Sequence, residues 1–468
     1  MTTDITLDGT TLTCEQVRVV ARGRARVALG STAAAQAAWE AASRLQGPVY
    51  GRTTGVGANK DVALPEQGLG LLRSHAGGAG PLVDDERARA MLVVRLNQLL
   101  RGGSGADPGL LPALADTING GFTPPVRLYG AIGTGDLTAL ATAALCLAGE
   151  IPWRRAPWSP PEEPSFPVSG SDALPFISAN AMTLGDAALA CAQLRPLLDA
   201  SIGVAAQSWR AVDASGEPLE QPVQDARRHP GQARVATRLR RLLVPGPSSP
   251  RLQDPYGYRA LPQVHGAAFD ALDTAEHAVT TDMNSAAENP LIAGGRAWHN
   301  GNFHTAPVAL ALDGLRAALV QTASLSTARL ATLMEPAYTG LVPFLAERPG
   351  ASGALILEYV AYDALATLRH LAAPVTLGGA VLSRSVEDHA GFGTQAARAC
   401  LAAREPYEIV LACELVAAVR ARRQRGIAIE PPLDVLDGRL EDRSLEADIE
   451  AARAALPSLA ADQPKPSR

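Results

Sequence analysis

Residues 130–140 read GAIGTGDLTAL, so Gly133-Thr134-Gly135 stands directly before Asp136 and an apolar run. Leu137, Leu140, Ala141 and Ala144 recur there at helical spacing. Asp136 suits the first turn of that helix, where a negative charge faces the positive end of the helix dipole. Two glycines around one hydroxyl residue are more than a helix start requires. A tight turn is the bland reading, and the rest of the chain decides whether a chemical one is better.

The same alanine- and leucine-rich texture continues over most of the 468 residues, of which 47% are hydrophobic, 19% charged and only 4% aromatic. That balance favours closely packed helices over a β-sandwich. Segments at roughly 262–287, 306–336, 351–373 and 392–425 have the length and composition of a long-helix bundle. The opening DITLDGTTLT predicts a short hairpin around Asp8-Gly9, followed by helical patterns at about 14–28 and 31–46. Proline-dense stretches at 152–168 and 244–255 read as extended connections, and ADQPKPSR (461–468) as an unstructured tail. RARRQRG (420–426) puts cations at a helix C-terminus, where the dipole favours them. The fold class expected is mainly α, with a mixed N-terminal domain at 1–190 and a long-helix domain at 191–468.

A formal net charge of −5 gives no basis for a nucleic-acid or anionic-membrane partner. Cys14, Cys146, Cys191, Cys400 and Cys413 are dispersed without a CxxC pair, which reads as reduced thiols in a cytoplasmic protein. No basic-then-apolar leader opens the chain, and no uninterrupted apolar run reaches the ~20 residues of a membrane span.

Some stretches are too polar or too glycine-rich for ordinary linkers: YGRTTGVG (50–57), RSH (73–75), QDPYGYR (253–259), HNGNFH (299–304) and EDH (387–389). Gly55-x-Gly57 lacks the third glycine of a dinucleotide fingerprint. His299 and His304 have no acidic or cysteine ligand close in sequence, so no metal site is expected.

In this order the stretches resemble the histidine and aromatic amino-acid ammonia-lyases over about residues 10–425. VYGRTTGVG looks like that family's tyrosine loop, and LLRSHAGGAG, VVRLNQLLRGGSG and GAIGTGDLTAL follow as in its N-terminal half. RLQDPYGYRALPQVHGA, NSAAENPL, NGNFH and SVEDH follow as in its C-terminal half. The resemblance implies a mostly helical homotetramer whose active sites draw on three subunits, acting on a small amino acid without a diffusible cofactor. It also implies an electrophile, 4-methylideneimidazol-5-one, closed autocatalytically from an Ala-Ser-Gly tripeptide near helix N-termini.

The resemblance breaks at that tripeptide. The family usually reads Gly-Ser-Val-Gly-Ala-Ser-Gly-Asp-Leu; here Gly130-Ala131-Ile132-Gly133-Thr134-Gly135-Asp136-Leu137 is one residue shorter, with Thr134 at the serine position. Glycine in the first place would not itself block ring closure, because only its carbonyl reacts. Threonine would leave a methyl on the carbon that accepts the nucleophile, so the normal group is not expected. Ile177 or Ser178 stands where the family has an asparagine against the group, and Glu358 where it usually has glutamine.

The retained positions imply the remaining roles. Tyr50 matches the catalytic base, which needs a lowered pKa to work near neutral pH. Arg259 matches the substrate-carboxylate clamp, a planar fork for a planar acceptor. Asn97, Gln253, Tyr256 and Phe303 match site-lining positions, and Glu387 the acid near the substrate amine or the prosthetic group. His75 stands where side-chain choice is tuned and suits a polar ring. Three readings stay open: elimination from a histidine- or tyrosine-like amino acid with an unusual Thr134-derived group; a fold relative without the group, acting on a substrate with its own activated leaving group such as a quaternary amine or doing different chemistry; and an inactive amino-acid-binding paralogue.

Overall fold

Helix-forming residues at 3.6-residue spacing fold as that spacing predicts. In a computed structural model describing residues 3–64, 68–243 and 249–460, helices run over Asp85–Leu100, Leu137–Leu147, Ala181–Ala211, Leu261–Met283, Ala306–Met334, Ile356–Leu371 and Arg404–Gln424. The segment expected at 392–425 is two helices, Gly393–Ala402 and Arg404–Gln424, separated at Ala403. The tail 461–468 lies outside the described residues, as do 244–248 of the second proline-rich connection.

The hairpin expectation fails. Thr3–Leu7 pairs in parallel with Ala25–Leu29, and the helix Cys14–Ala21 crosses between them. Asp8 accepts bonds from the Thr10 and Thr11 amides, which turns the chain, and Thr13 with Gln16 then forms a capping box that starts the helix. The helical pattern drawn to residue 28 therefore ends early, because ARVAL (25–29) is spent on the strand.

By its internal contacts the chain forms two units: 1–192 with 275–313 and 374–401, and 193–274 with 314–373 and 402–468. Three of the boundaries fall inside the long helices 181–211, 261–283 and 306–334. Among the described residues all the two-stranded sheets belong to the first unit.

In the second unit the helix Arg404–Gln424 is buried on almost every face, so its polar residues must be paired. Glu414 is: it accepts Ser208 and Ser326 hydroxyls and two nitrogens of the Arg329 guanidinium, all buried. Removing either partner of such a pair costs about 3–5 kcal/mol. Arg420 and Arg423, read from sequence as dipole compensation, donate to the carbonyls of Leu345, Leu436, Asp434, Arg439 and Leu440 and so tie loops to the helix.

Two helical stretches, 170–211 and 306–334, are long and apolar enough to cross a membrane by length and composition, yet the most apolar window of the first is wholly buried. A helix apolar all round suits a core packed on every side as well as it suits lipid. All five cysteines are free and buried.

Candidate active site

The tyrosine loop is a stack of short turns. Arg52 and Thr53 amides donate to the Val49 carbonyl, the Gly55 amide to Val62, and the Leu64 amide to Thr53. Gly57 sits at φ +56°, which aims its N–H at the Tyr50 phenolic oxygen at 2.8 Å. A side chain there would also collide with the Ser383 hydroxyl, 2.5 Å from the Cβ position, and approach Glu387 Oε1 at 3.3 Å. The Ser383 hydroxyl oxygen accepts the Ala58 amide at 2.8 Å, fastening the loop to the segment that carries Glu387.

Tyr50 opens on a cavity of about 730 Å³, lined only by residues of the first unit. His75, Thr134, Gly135, Ser178, Phe303 and Glu387 line it too, so seven sequence-expected positions meet in one place. His299, His304, His389, Asp388 and Lys60 join them. The His299 ring meets Tyr50 edge-on at 6.5 Å. A concave site with convergent titratable groups is what catalysis on a small polar molecule needs. Among the described residues no group of three or more His, Cys, Asp or Glu is arranged to hold a metal ion.

Asn97 is not brought to the cavity. It is fully buried, accepting the Gly9 amide and donating to Met283 O and Asn284 Oδ1. Its three hydrogen bonds join chain segments. Gln253, Tyr256, Arg259 and Glu358 belong to the second unit. There the Arg259 guanidinium stacks over Tyr256 at 4.3 Å, and its buried Nε has no hydrogen-bond partner among the described residues. Burial, reinforced by Glu335, raises the Glu358 carboxyl above its ordinary range.

The pKa of Tyr50 corrects the expectation of a lowered value. Burial pushes it up, the Gly57 N–H opposes that, and the Glu387 charge adds to the rise.

At the opening stretch, Gly133 (φ +87°) and Gly135 (φ +125°) take conformations that favour glycine. The Gly133 carbonyl accepts the Thr305 hydroxyl at 2.8 Å, and the Gly135 amide donates to Asn180 Oδ1 at 2.9 Å. Asn180 Nδ2 in turn donates to the Phe303 carbonyl. Asp136 is fully buried and accepts both the amide and the hydroxyl of Thr183, at 2.6 and 2.9 Å. Burial raises its pKa to about 6. Ser178 accepts the Asn289 amide at 3.1 Å. Sequence reasoning looked for one asparagine at 177–178 and passed over Asn180, two residues on. Thr305 carries no sequence signal beyond its place after His304.

The model of the aromatic amino acid lyase family matches residues 12–435. The chain belongs to that family. It is therefore a carbon–nitrogen lyase. It is 34% identical to a histidine ammonia-lyase of Geobacillus thermodenitrificans, covering 96% of each chain. Its fold is similar to a tyrosine aminomutase from Streptomyces globisporus (TM-score 0.87, 30% identity, 97% of both chains). It is also similar to the ergothioneine degrading enzyme ergothionase from Treponema denticola (TM-score 0.86, 26% identity, 97% of this chain and 99% of that one).

The residues of this lyase do not fit the tripeptide from which the family's electrophile is made. A Cβ at position 133 would lie 2.5 Å from Gly393 N and 2.8 Å from the Thr305 hydroxyl, so alanine there would force a shift of the neighbouring backbone as well as strain φ. Position 134 carries threonine, and the chain entering the turn is one residue short of the family pattern.

Proposed function

We propose that the chain catalyses β-elimination from an α-amino acid derivative with a polar ring, one whose nitrogen already carries a permanent positive charge, with Tyr50 as base and Arg259 as carboxylate anchor. The observation that carries this reading is the pairing of a retained tyrosine loop with a 133–135 turn that disfavours the family's alanine. A primary ammonium can lose its proton and with it its capacity to leave, which is why an electrophile is useful. A quaternary ammonium keeps its charge at every pH and leaves as a neutral amine.

The Tyr50 phenolate takes a proton from the β-carbon. The electron pair of that C–H bond becomes the Cα=Cβ double bond, the Cα–N bond breaks, and the amine departs with its electrons, leaving an α,β-unsaturated acid. Glu387 raises Tyr50 electrostatically in the free protein. A cationic substrate centre near Glu387 offsets that push, so substrate binding itself lowers the phenol toward its working range. The Treponema denticola neighbour supports the leaving group, since ergothioneine is a trimethylammonium betaine of an imidazole. In this reading the enzyme is a cytoplasmic homotetramer with sites shared between subunits, as the family resemblance implies.

The test is an assay of amine release from L-histidine, L-tyrosine and their trimethyl betaines, run beside the mass of the 127–140 peptide. An unmodified peptide with trimethylamine release from a betaine is the expected result. Ammonia release from L-histidine together with a peptide lighter by two waters would overturn it in favour of a Thr134-derived electrophile. No release from any of these substrates would also overturn it.

A further inference from the structure

Two histidines that the mechanism does not use line the cavity in contact with each other. His304 Nε2 and His389 Nδ1 are 2.9 Å apart, with ring centroids at 5.0 Å. What such a pair presents to a substrate depends on where its protons are, and here the backbone decides. The Ala306 amide points at His304 Nδ1 at 3.3 Å. An amide N–H can only donate, so His304 Nδ1 is an acceptor and its ring proton sits on Nε2. That Nε2–H donates to His389 Nδ1, which leaves the proton of His389 on its own Nε2. Burial and the neighbouring His389 keep His304 below its ordinary pKa, consistent with a neutral ring.

From this chain of donors we infer that His389 is a specificity-determining residue whose Nε2–H donates to an acceptor atom on the substrate's ring. The inference rests on the elimination reading, in which the substrate's cationic centre faces Glu387 and its carboxylate is not bound by His389, so the acceptor left for His389 belongs to the ring. The chemical class is a heteroaromatic ring with an in-plane lone pair, as in an imidazole or its sulfur-bearing analogue. A phenyl ring offers no such atom. Where substrate covers His389 and excludes water, a phenyl ring would leave its N–H unpaired, and rejection by an unpaired polar group is stronger than rejection by shape.

The experiment measures binding, so it does not depend on turnover. In a Tyr50→Phe background, Kd is determined by calorimetry for L-histidine and L-phenylalanine and for their trimethyl betaines, with His389→Leu, His389→Gln and His304→Phe added in turn. The parent is expected to prefer the histidine member of each pair. His389→Leu should reduce that preference about fivefold to tenfold, by weakening the imidazole ligand selectively. His389→Gln, which still has an N–H to offer, should recover most of it. His304→Phe should cost about twofold, because His389 is kept but its tautomer is no longer dictated.

The inference is overturned if the parent shows no ring preference, or if His389→Leu weakens both ring types equally, as a purely structural role would. It is also overturned if the preference survives His389→Leu. Ring preference in the free amino acids with none of the betaines bound would instead sink the quaternary-nitrogen reading and leave His389 in place.

Discussion

At residue 57 and at residue 133 a glycine with positive φ is pressed so closely on a neighbour that a side chain would stand 2.5 Å from it, Ser383 Oγ in the first case and Gly393 N in the second. Each glycine directs a main-chain group: the Gly57 amide to the Tyr50 oxygen, the Gly133 carbonyl to the Thr305 hydroxyl. In the tyrosine loop this rigidity serves a side chain of the expected type. In the 130–136 turn the same rigidity surrounds Gly-Thr-Gly where the family has Ala-Ser-Gly. In this chain the 133–135 turn is held by Thr305, Asn180 and the buried Asp136 although its residues are not those of the family's tripeptide. Conformation and chemistry at a site are separable.

The comparison is broken or sharpened by four variants. Tyr50→Phe leaves the ring and removes the base. A fall in kcat/KM of about 10²–10⁴ is expected for the betaine substrate, and an unchanged rate would remove Tyr50 from the mechanism.

Asp136→Asn probes the turn through pH. The folded-state pKa of Asp136 is raised to about 6 by burial, so its contribution to stability is complete below its ordinary value near 4 and is lost as pH rises through 6. The loss amounts to about 3 kcal/mol. An asparagine has no charge to bury, so the Tm of the variant relative to the natural protein should improve between pH 4 and pH 7. A constant difference across that range would show that Asp136 titrates normally.

Gly133→Ala tests whether the family's residue fits. Left-handed strain and overpacking together should destabilise the fold by about 2–3 kcal/mol, read as a lower Tm. A variant as stable as the parent would mean that the turn can readily take up the family's tripeptide. Thr134→Ala carries the smallest expected effect. If no electrophile forms, kcat should stay within about twofold, since Thr134 then contributes only cavity lining; a loss of a hundredfold or more would tie Thr134 to the chemistry.

Much of the fold could be read along the chain, because helical periodicity is local. The segment predicted at 306–336 is the helix Ala306–Met334, and that at 262–287 is Leu261–Met283. The hairpin at the N-terminus misled for a non-local reason: DITL is a strand whose partner, ARVAL, lies some twenty residues away across a helix. Site residues divide the same way. Tyr50, His75, Phe303 and Glu387 stand in ordered motifs and were legible, while Asn180 and Thr305 act on main-chain atoms 45 and 172 residues distant and have no motif of their own.

The sequence by itself determined the mainly helical class, the family, the tyrosine loop and the altered tripeptide, since each is a matter of which residues occur in which order. Tertiary structure alone decided that Asn97 is a structural bolt, that Tyr50 is raised in the free protein, and that an alanine at 133 would force its neighbours to shift. It alone decided which nitrogen of His389 holds the proton, because that follows from an Ala306 amide whose position no local pattern encodes. Covalent order fixes what groups exist; their protonation, partners and available space are set by neighbours that only folding supplies.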